Sequence, residues 1–203
     1  MAERRGIPVI GIIGGIGAGK SSVSAILREL GCVVADSDAL AREALHDPDV
    51  RRMIHQRLGS SVFDADGTVN RSALARLVFA DTSARAALEA VVHPWIEARR
   101  RTIFAAAPAG TPALVLDAPL LIEAGLAKEC DALIGIDVPR TIRLRRVAES
   151  RGWKDEELRK REEAQMPLDE KLRLADYTVR NDGDLSGLAE QIRSVLRKIV
   201  AQA

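Results

Sequence analysis

Short apolar runs, several rich in β-branched residues, recur along the chain, and each gives way to a longer stretch in which apolar positions return every three or four residues. The runs at 8–13 (PVIGII), 32–35 (CVVA), 113–116 (ALVL), 132–136 (ALIGI) and, more weakly, 177–179 (YTV) read as strands. Strands alternating with helical stretches predict an α/β fold, a five-stranded parallel sheet flanked by crossover helices. Sites in such sheets lie at the carboxyl ends of the strands, which here read GGIGAGKS, DSD, DAPLLIE, DVPR and RND.

The chain between the second and third strands is too long for one crossover helix. It reads as several: ALAREAL, a stretch over 50–58, SALARLVF, DTSARAALEAVV and PWIEARRRTIFAAA. Asp81 as an N-cap and Pro94 as a first-turn proline mark the expected starts of the last two. Residues 141–175 are again helical and dense in charge, and the C-terminal run places Leu185, Leu188, Ile192, Val195 and Ile199 on one packing face. The expected organisation is one domain: core segments 6–38, 110–140 and 176–203, a helical insertion at 39–109 and a helical lid at 141–175.

Composition narrows the class. At 203 residues with 47% apolar and 29% charged residues, the chain is long enough for a sizeable core and has the balance of a globular protein. A net charge of +1 argues against a broad basic field for nucleic acid. No apolar run approaches a membrane span, and the opening MAERRGIPVIG lacks a cleavage-signal pattern. Cys32 and Cys130 are too few for a disulfide framework and lack zinc-ligand spacing. A cytoplasmic protein without membrane or nucleic-acid partners, a monomer or weak homo-oligomer, is expected.

The chemistry enters after the first strand. Gly14, Gly19, Lys20 and Ser21 meet the phosphate-loop pattern G-x-x-x-x-G-K-[ST], with Gly15, Ile16, Gly17 and Ala18 as the intervening loop and Ser22 opening a helix. Glycines let successive N–H groups turn inward around phosphate oxygens, and the helix adds its positive end. Lys20 then faces the β- and γ-phosphates of a nucleoside triphosphate, and the Ser21 hydroxyl is placed for Mg²⁺. GTPase signatures D-x-x-G and N-K-x-D are absent, and the chain is short for a motor, so a small kinase leads. Phosphoryl transfer needs a base for the acceptor hydroxyl, and Asp36 or Asp38 in DSD can serve, or Asp36 can cap the following helix. Asp117 is in place to bind a metal through water. RTIRLRRVAESRGWKDEELRKRE suits a lid, with Arg146 and Arg151 as candidates for phosphate contact.

Nearly end to end, these segments resemble the dephospho-coenzyme A kinase family. The resemblance rests on GGIGAGKS, DSDALARE where the family typically has D-A-D, His93-Pro94, LDAPLLIE, DVPRTIRLRRVAESR and EEAQMPLDEKLRLADYTVRND. It implies a fold similar to nucleotide monophosphate kinases and transfer of the γ-phosphate of ATP, with Mg²⁺, to the ribose 3′-hydroxyl of dephospho-CoA. Carried over, it implies Asp38 as the base, Lys20 and Ser21 at phosphate and metal, and Arg146 and a lid arginine near Arg151 at the transferring phosphate. It sets Asn181 near the adenine of ATP, and Asp36, His93, Asp117, Leu120 and Glu123 toward the acceptor. His93 reads equally as a packing residue at a helix start. The spacing from Arg146 to Arg151 is one residue longer than the commonest family pattern, which leaves open which of the two faces the phosphate. Another nucleoside or nucleotide kinase, or a nucleic-acid-binding ATPase, is the competing reading.

Overall fold

The computed structural model describes residues 6–203; residues 1–5, part of the stretch read above for a cleavage signal, lie outside them. Five strands, β1 (Val9–Gly14), β2 (Val33–Asp36), β3 (Leu114–Asp117), β4 (Ala132–Asp137) and β5 (Tyr177–Arg180), form one sheet in the order β2-β3-β1-β4-β5. Every pairing is parallel. All five expected strands are therefore present, each ending one residue later than the apolar run that signals it.

The central strands β1, β3 and β4 are buried on both faces, as parallel strands with helical crossovers require, while the edge strand β5 is exposed at Thr178 and Arg180. Alternation along β1 sends Ile10 and Ile12 into one core, shared with Val115 of β3, with Ile134 and Ile136 of β4, and with helices α1 (Lys20–Glu29) and α9 (Leu185–Gln202). On the opposite face Ile13, Leu116 and Leu133 pack with Leu121. In α9, burial begins at Leu188 and runs through Ile192, Val195, Leu196 and Ile199. Leu185, expected on that face, is 66% exposed, and Leu196 takes a place the spacing did not assign. The first turn after the Asp184 cap precedes the packed part of the helix.

Chain connectivity makes β1 the switch strand. The first crossover leads out to β2 and back to β3 on one side of β1, after which β4 is added on the other. Crevices at such points, beyond the carboxyl ends of the strands, are where open α/β sheets bind ligands.

The chain divides into two compact units, one of Ser37–Ala105 and one holding the sheet with Ala106–Ala203. The first contains α2 (Ser37–Ala44), α3 (Pro48–Leu58), α4 (Arg71–Ala80) and α5 (Thr82–Ala105) around a core of Ala44, Val50, Ile54, Val62, Leu74, Val91 and Val92. Three of its helices, α3, α4 and α5, carry their own caps: Asp47 accepts from Asp49 and Val50 N–H, Asn70 from Ala73, and Asp81 from Ser83 and Ala84. Asp81 is thus the start signal expected. Pro94 is not, because it lies inside one 24-residue helix. Val91, Val92, Trp95 and Ile96 on either side of it pack into the same core, and that continuous apolar face carries the helix past the proline. Trp95 also donates its indole N–H to Asp47 Oδ2 at 3.0 Å, joining α5 to the start of α3. That bond first, then the Val50 N–H, holds the Asp47 carboxyl below its ordinary range.

The charged stretch after β4 forms three helices, α6 (Arg140–Arg151), α7 (Asp155–Glu163) and α8 (Leu168–Arg173).

Candidate active site

The loop 15–19 leaves β1 at the switch point and enters α1 at Lys20. Its shape depends on two close approaches. At Gly17 (φ +78°) a Cβ would lie 2.8 Å from the backbone oxygen of Arg143, and at Gly19 (φ +88°) one would collide with the Asn181 amide. Only glycine offers both the left-handed backbone and the missing side chain. Ala18 N–H bonds Gly15 C=O at 3.0 Å, closing a turn, and Ser22 and Val23 N–H bond Gly19 C=O at 3.0 and 3.3 Å to begin the helix.

The end of α1 is prepared for an external anion. No acidic residue stands in its first turn and no side chain caps it, a combination it shares with α6 but which here follows directly on the glycine loop. Acidic residues normally complement the positive end of a helix. A phosphate can take that place here, above the half-buried Lys20 and the exposed Ser21 hydroxyl.

Two elements brace the loop from the side of β4 and β5. Asn181, 5% exposed just beyond β5, donates Nδ2–H to Ala18 C=O at 2.8 Å and accepts at its own C=O from Arg146 Nη2 at 2.9 Å. The second terminal nitrogen of Arg146, Nη1, is buried without a protein hydrogen-bond partner and lies 3.7 Å from the Cβ position of Gly19. A buried guanidinium donor left unpaired is costly, and a phosphate oxygen is the kind of acceptor that would offset that cost. Arg151 lies elsewhere: at the C-terminal end of α6 its guanidinium stacks on Trp153, 4.8 Å from the ring centroid, with Arg161 at 4.2 Å from the same ring.

Across the sheet the carboxyl ends of β2 and β3 set Asp36 and Asp117 opposite each other in register. Asp117 is buried and accepts from Ser24 Oγ of α1 at 2.5 Å. Asp38 is exposed in the first turn of α2, and His93 is exposed in the middle of α5, so the helix-start role weighed for it does not hold. Leu120 is 37% exposed. Glu123 accepts from Lys171 Nζ at 2.8 Å and from Met166 N–H at 3.1 Å, which ties the turn after β3 to α8. Burial pushes the Glu123 carboxyl up, but the Lys171 hydrogen bond and the backbone donors outweigh it, and its pKa lies below the ordinary value.

The dephospho-CoA kinase (CoaE) family model matches residues 8–187, nearly the whole of this arrangement. The chain belongs to the dephospho-CoA kinase family. A dephospho-CoA kinase of Syntrophotalea carbinolica is 39% identical over 195 residues, spanning 95% of this chain and 92% of that protein. A crystal structure of a Thermus thermophilus protein superposes with a TM-score of 0.80 at 38% identity, covering 95% of this chain and 97% of the other. The dephospho-CoA kinase from Campylobacter jejuni shares the fold, with a TM-score of 0.70 at 21% identity and coverage of 96% and 98%.

Within this dephospho-CoA kinase frame, residues that sequence reading passed over do much of the bracing. Arg143 is 5% exposed and bonded to the loop, Glu162 pairs with it, Lys171 is 3% exposed beside Glu123, and Ser24 holds Asp117. The one available signal was the position of Arg143 one helical turn before Arg146, which sets both on the same face of α6.

Proposed function

We propose that this chain transfers the γ-phosphoryl group of ATP to the ribose 3′-hydroxyl of dephospho-CoA, giving coenzyme A and ADP. The observation that carries the reading is the unpaired, buried Nη1 of Arg146 beside Gly19 of the phosphate loop, in a chain whose family is dephospho-CoA kinase.

The loop 14–19 and the N-terminal end of α1 hold the triphosphate, with N–H groups of Gly15, Ile16 and Gly17 toward its oxygens, while that of Ala18 closes the turn onto Gly15 C=O. Lys20 neutralises charge on the β- and γ-phosphates, and Arg146 does so on the transferring group, where charge stabilisation counts most. Asp38 takes the proton of the 3′-hydroxyl as its oxygen attacks the γ-phosphorus. The new O–P bond forms as the bond to the β–γ bridging oxygen breaks, and the departing electron pair stays on ADP. Asn181 shapes the nucleotide side through Ala18, and Arg151 is within the lid that closes over it. Asp36, His93, Asp117, Leu120 and Glu123 belong to the acceptor side.

The residues fit Mg²⁺ carried on the nucleotide. Among the described residues no cluster of three His, Cys, Asp or Glu side chains forms a dedicated cage, while the Ser21 hydroxyl stands exposed at the loop and Asp36 and Asp117 end neighbouring strands. Mg²⁺ prefers such hard oxygens, keeping several waters and binding substrate phosphates with one or two carboxylates. When bound it offsets phosphate charge and fixes the chain of oxygens. No helix of the described residues is long and apolar enough to cross a membrane; we infer a cytoplasmic enzyme acting on small-molecule substrates, as a monomer or weak homo-oligomer.

Incubation with Mg-ATP and a panel of acceptors tests the reading. ADP is expected in step with phosphorylated product for dephospho-CoA, and equal turnover with nucleoside monophosphates would overturn the assignment.

A further inference from the structure

Arg143 is a buried cation for which the reaction assigns no role. From α6 its Nη1 donates to Ile16 C=O of the phosphate loop at 3.2 Å, its Nε donates to Val138 C=O at 3.3 Å, and its charge pairs with Glu162 of α7. Glu162 is shared with Arg140, Oε2 lying 3.2 Å from Arg140 Nε, and Arg140 also holds Asp155 at 2.5 Å. Two arginines of α6 and two carboxylates of α7 thus form one ionic chain whose inner end lies on the loop. The contact is close along its length: a Cβ on Gly15 would lie 3.1 Å from Arg143 Nη1, and Gly17 packs against the Arg143 backbone.

The bond to Ile16 has a direct electrostatic meaning. A phosphate nest needs its N–H groups inward, so the carbonyls between them must face away. A peptide that turned over at Ile16 would set a carbonyl oxygen against phosphate oxygens. A charge-assisted hydrogen bond from behind opposes that turn more strongly than a neutral one. The guanidinium making it is buried, and Glu162 beside it offsets the cost of burying that charge.

We propose that Arg143 is a positioning residue that ties the shape of the phosphate loop to the position of α7, so that loop and lid helix respond as one unit when nucleotide binds. From one face of α6, Arg143 meets the loop at Gly15 to Gly17 and Arg146 stands beside Gly19. The proposal rests on the triphosphate reading of the loop.

Calorimetric titration of the full chain with Mg-bound ATP, without acceptor, tests both separately. Arg143→Met keeps the side-chain bulk and removes every bond. It is expected to raise the ATP Kd about tenfold at unchanged stoichiometry, the size of one lost charge-assisted hydrogen bond. Damage that leaves part of the protein misfolded and no longer exchanging with the native state would lower the stoichiometry and leave Kd alone. Arg143→Lys retains the charge but not the fork, and is expected to fall between parent and Met; it decides the matter if the Met variant does not fold. Glu162→Gln, which reaches the loop through Arg143, should weaken ATP about two- to fourfold, in proportion to partial loss of the same contact. Parent-like Kd values in the folded variants would overturn the proposal, and failure of the parent itself to bind Mg-ATP would overturn the reading beneath it.

Discussion

The phosphate loop and the Ser37–Ala105 unit hold their functional groups in opposite ways. Around the loop, geometry is fixed by main chain and by buried polar side chains: Asn181 on Ala18, Arg143 on Ile16, Arg146 on the Asn181 carbonyl. In the helical unit the candidate groups Asp38 and His93 are exposed, and the fixed parts are apolar packing and local caps. A triphosphate tail is the same for every enzyme that binds it, so rigid backbone serves. An acceptor differs from enzyme to enzyme, and the side chains proposed to meet it stand exposed on helices packed around a core of their own.

Rates should fall on changes from either side, and these are the largest effects expected. Asp38→Asn removes the proposed base while leaving the loop intact, so phosphoryl transfer should drop about 10²–10⁴-fold with ATP affinity retained. If Asp36→Asn is inactive and Asp38→Asn active, the two roles exchange. Lys20→Ala should cost about 10²–10³-fold in turnover through lost charge stabilisation. A stopped assay at saturating ATP and acceptor measures both, and near-normal rates in either would break the division of labour.

Stability should separate the two regions. Pro94 is exposed within α5 and has no N–H to give the carbonyl one turn back, so Pro94→Ala should stabilise the helical unit by up to about 3 kcal/mol. Asn181→Ala, in contrast, leaves the Ala18 carbonyl without its buried donor and should destabilise by about 1–3 kcal/mol, with Asn181→Asp worse because an acceptor then faces an acceptor. Denaturant unfolding of each variant reads both signs, and a neutral Asn181→Ala would show that the bracing of the loop lies elsewhere.

What could be read from the chain beforehand follows the same line. The strands and the loop are local: apolar runs of a few residues, or eight consecutive residues with fixed spacing, carry the whole signal. The bracing is not local. Asn181 reaches Ala18 across 163 residues and Arg143 reaches Ile16 across 127, so neither contact leaves a periodic trace. Pro94 misled because a start signal was weighed without the core on both sides of it, and tertiary packing overrides such preferences. Leu185 misled in the reverse sense: its spacing was right for the face, but the face is covered only from Leu188 onward. Of the two lid arginines left open by spacing, Arg146 is the one that meets the loop in this structure, and Arg151 is engaged with Trp153.

The smallest effect concerns acid. In the sheet unit, Glu123 has a pKa lowered by Lys171 and by backbone donors against the opposing effect of burial. A carboxyl lowered on folding contributes stability that is fully present above its unfolded value, near 4.5, and is lost as pH falls through the lower folded value. Lys171, 3% exposed, then loses its carboxylate partner and retains the hydrogen bond to Gln165 Oε1 at 3.3 Å. Glu123→Gln removes this titration, so the fall in Tm between neutral pH and about pH 3 should be shallower in the variant, although the variant starts lower at pH 7. Asp47 in the helical unit is also lowered, by Trp95 first, so Trp95→Phe should flatten the acid response there in the same direction. Because Glu123 is partly open to solvent, the difference in slope should amount to less than about 1 kcal/mol. Parallel acid profiles for parent and Glu123→Gln would mean that the link between the turn after β3 and α8 does not depend on the charge of Glu123.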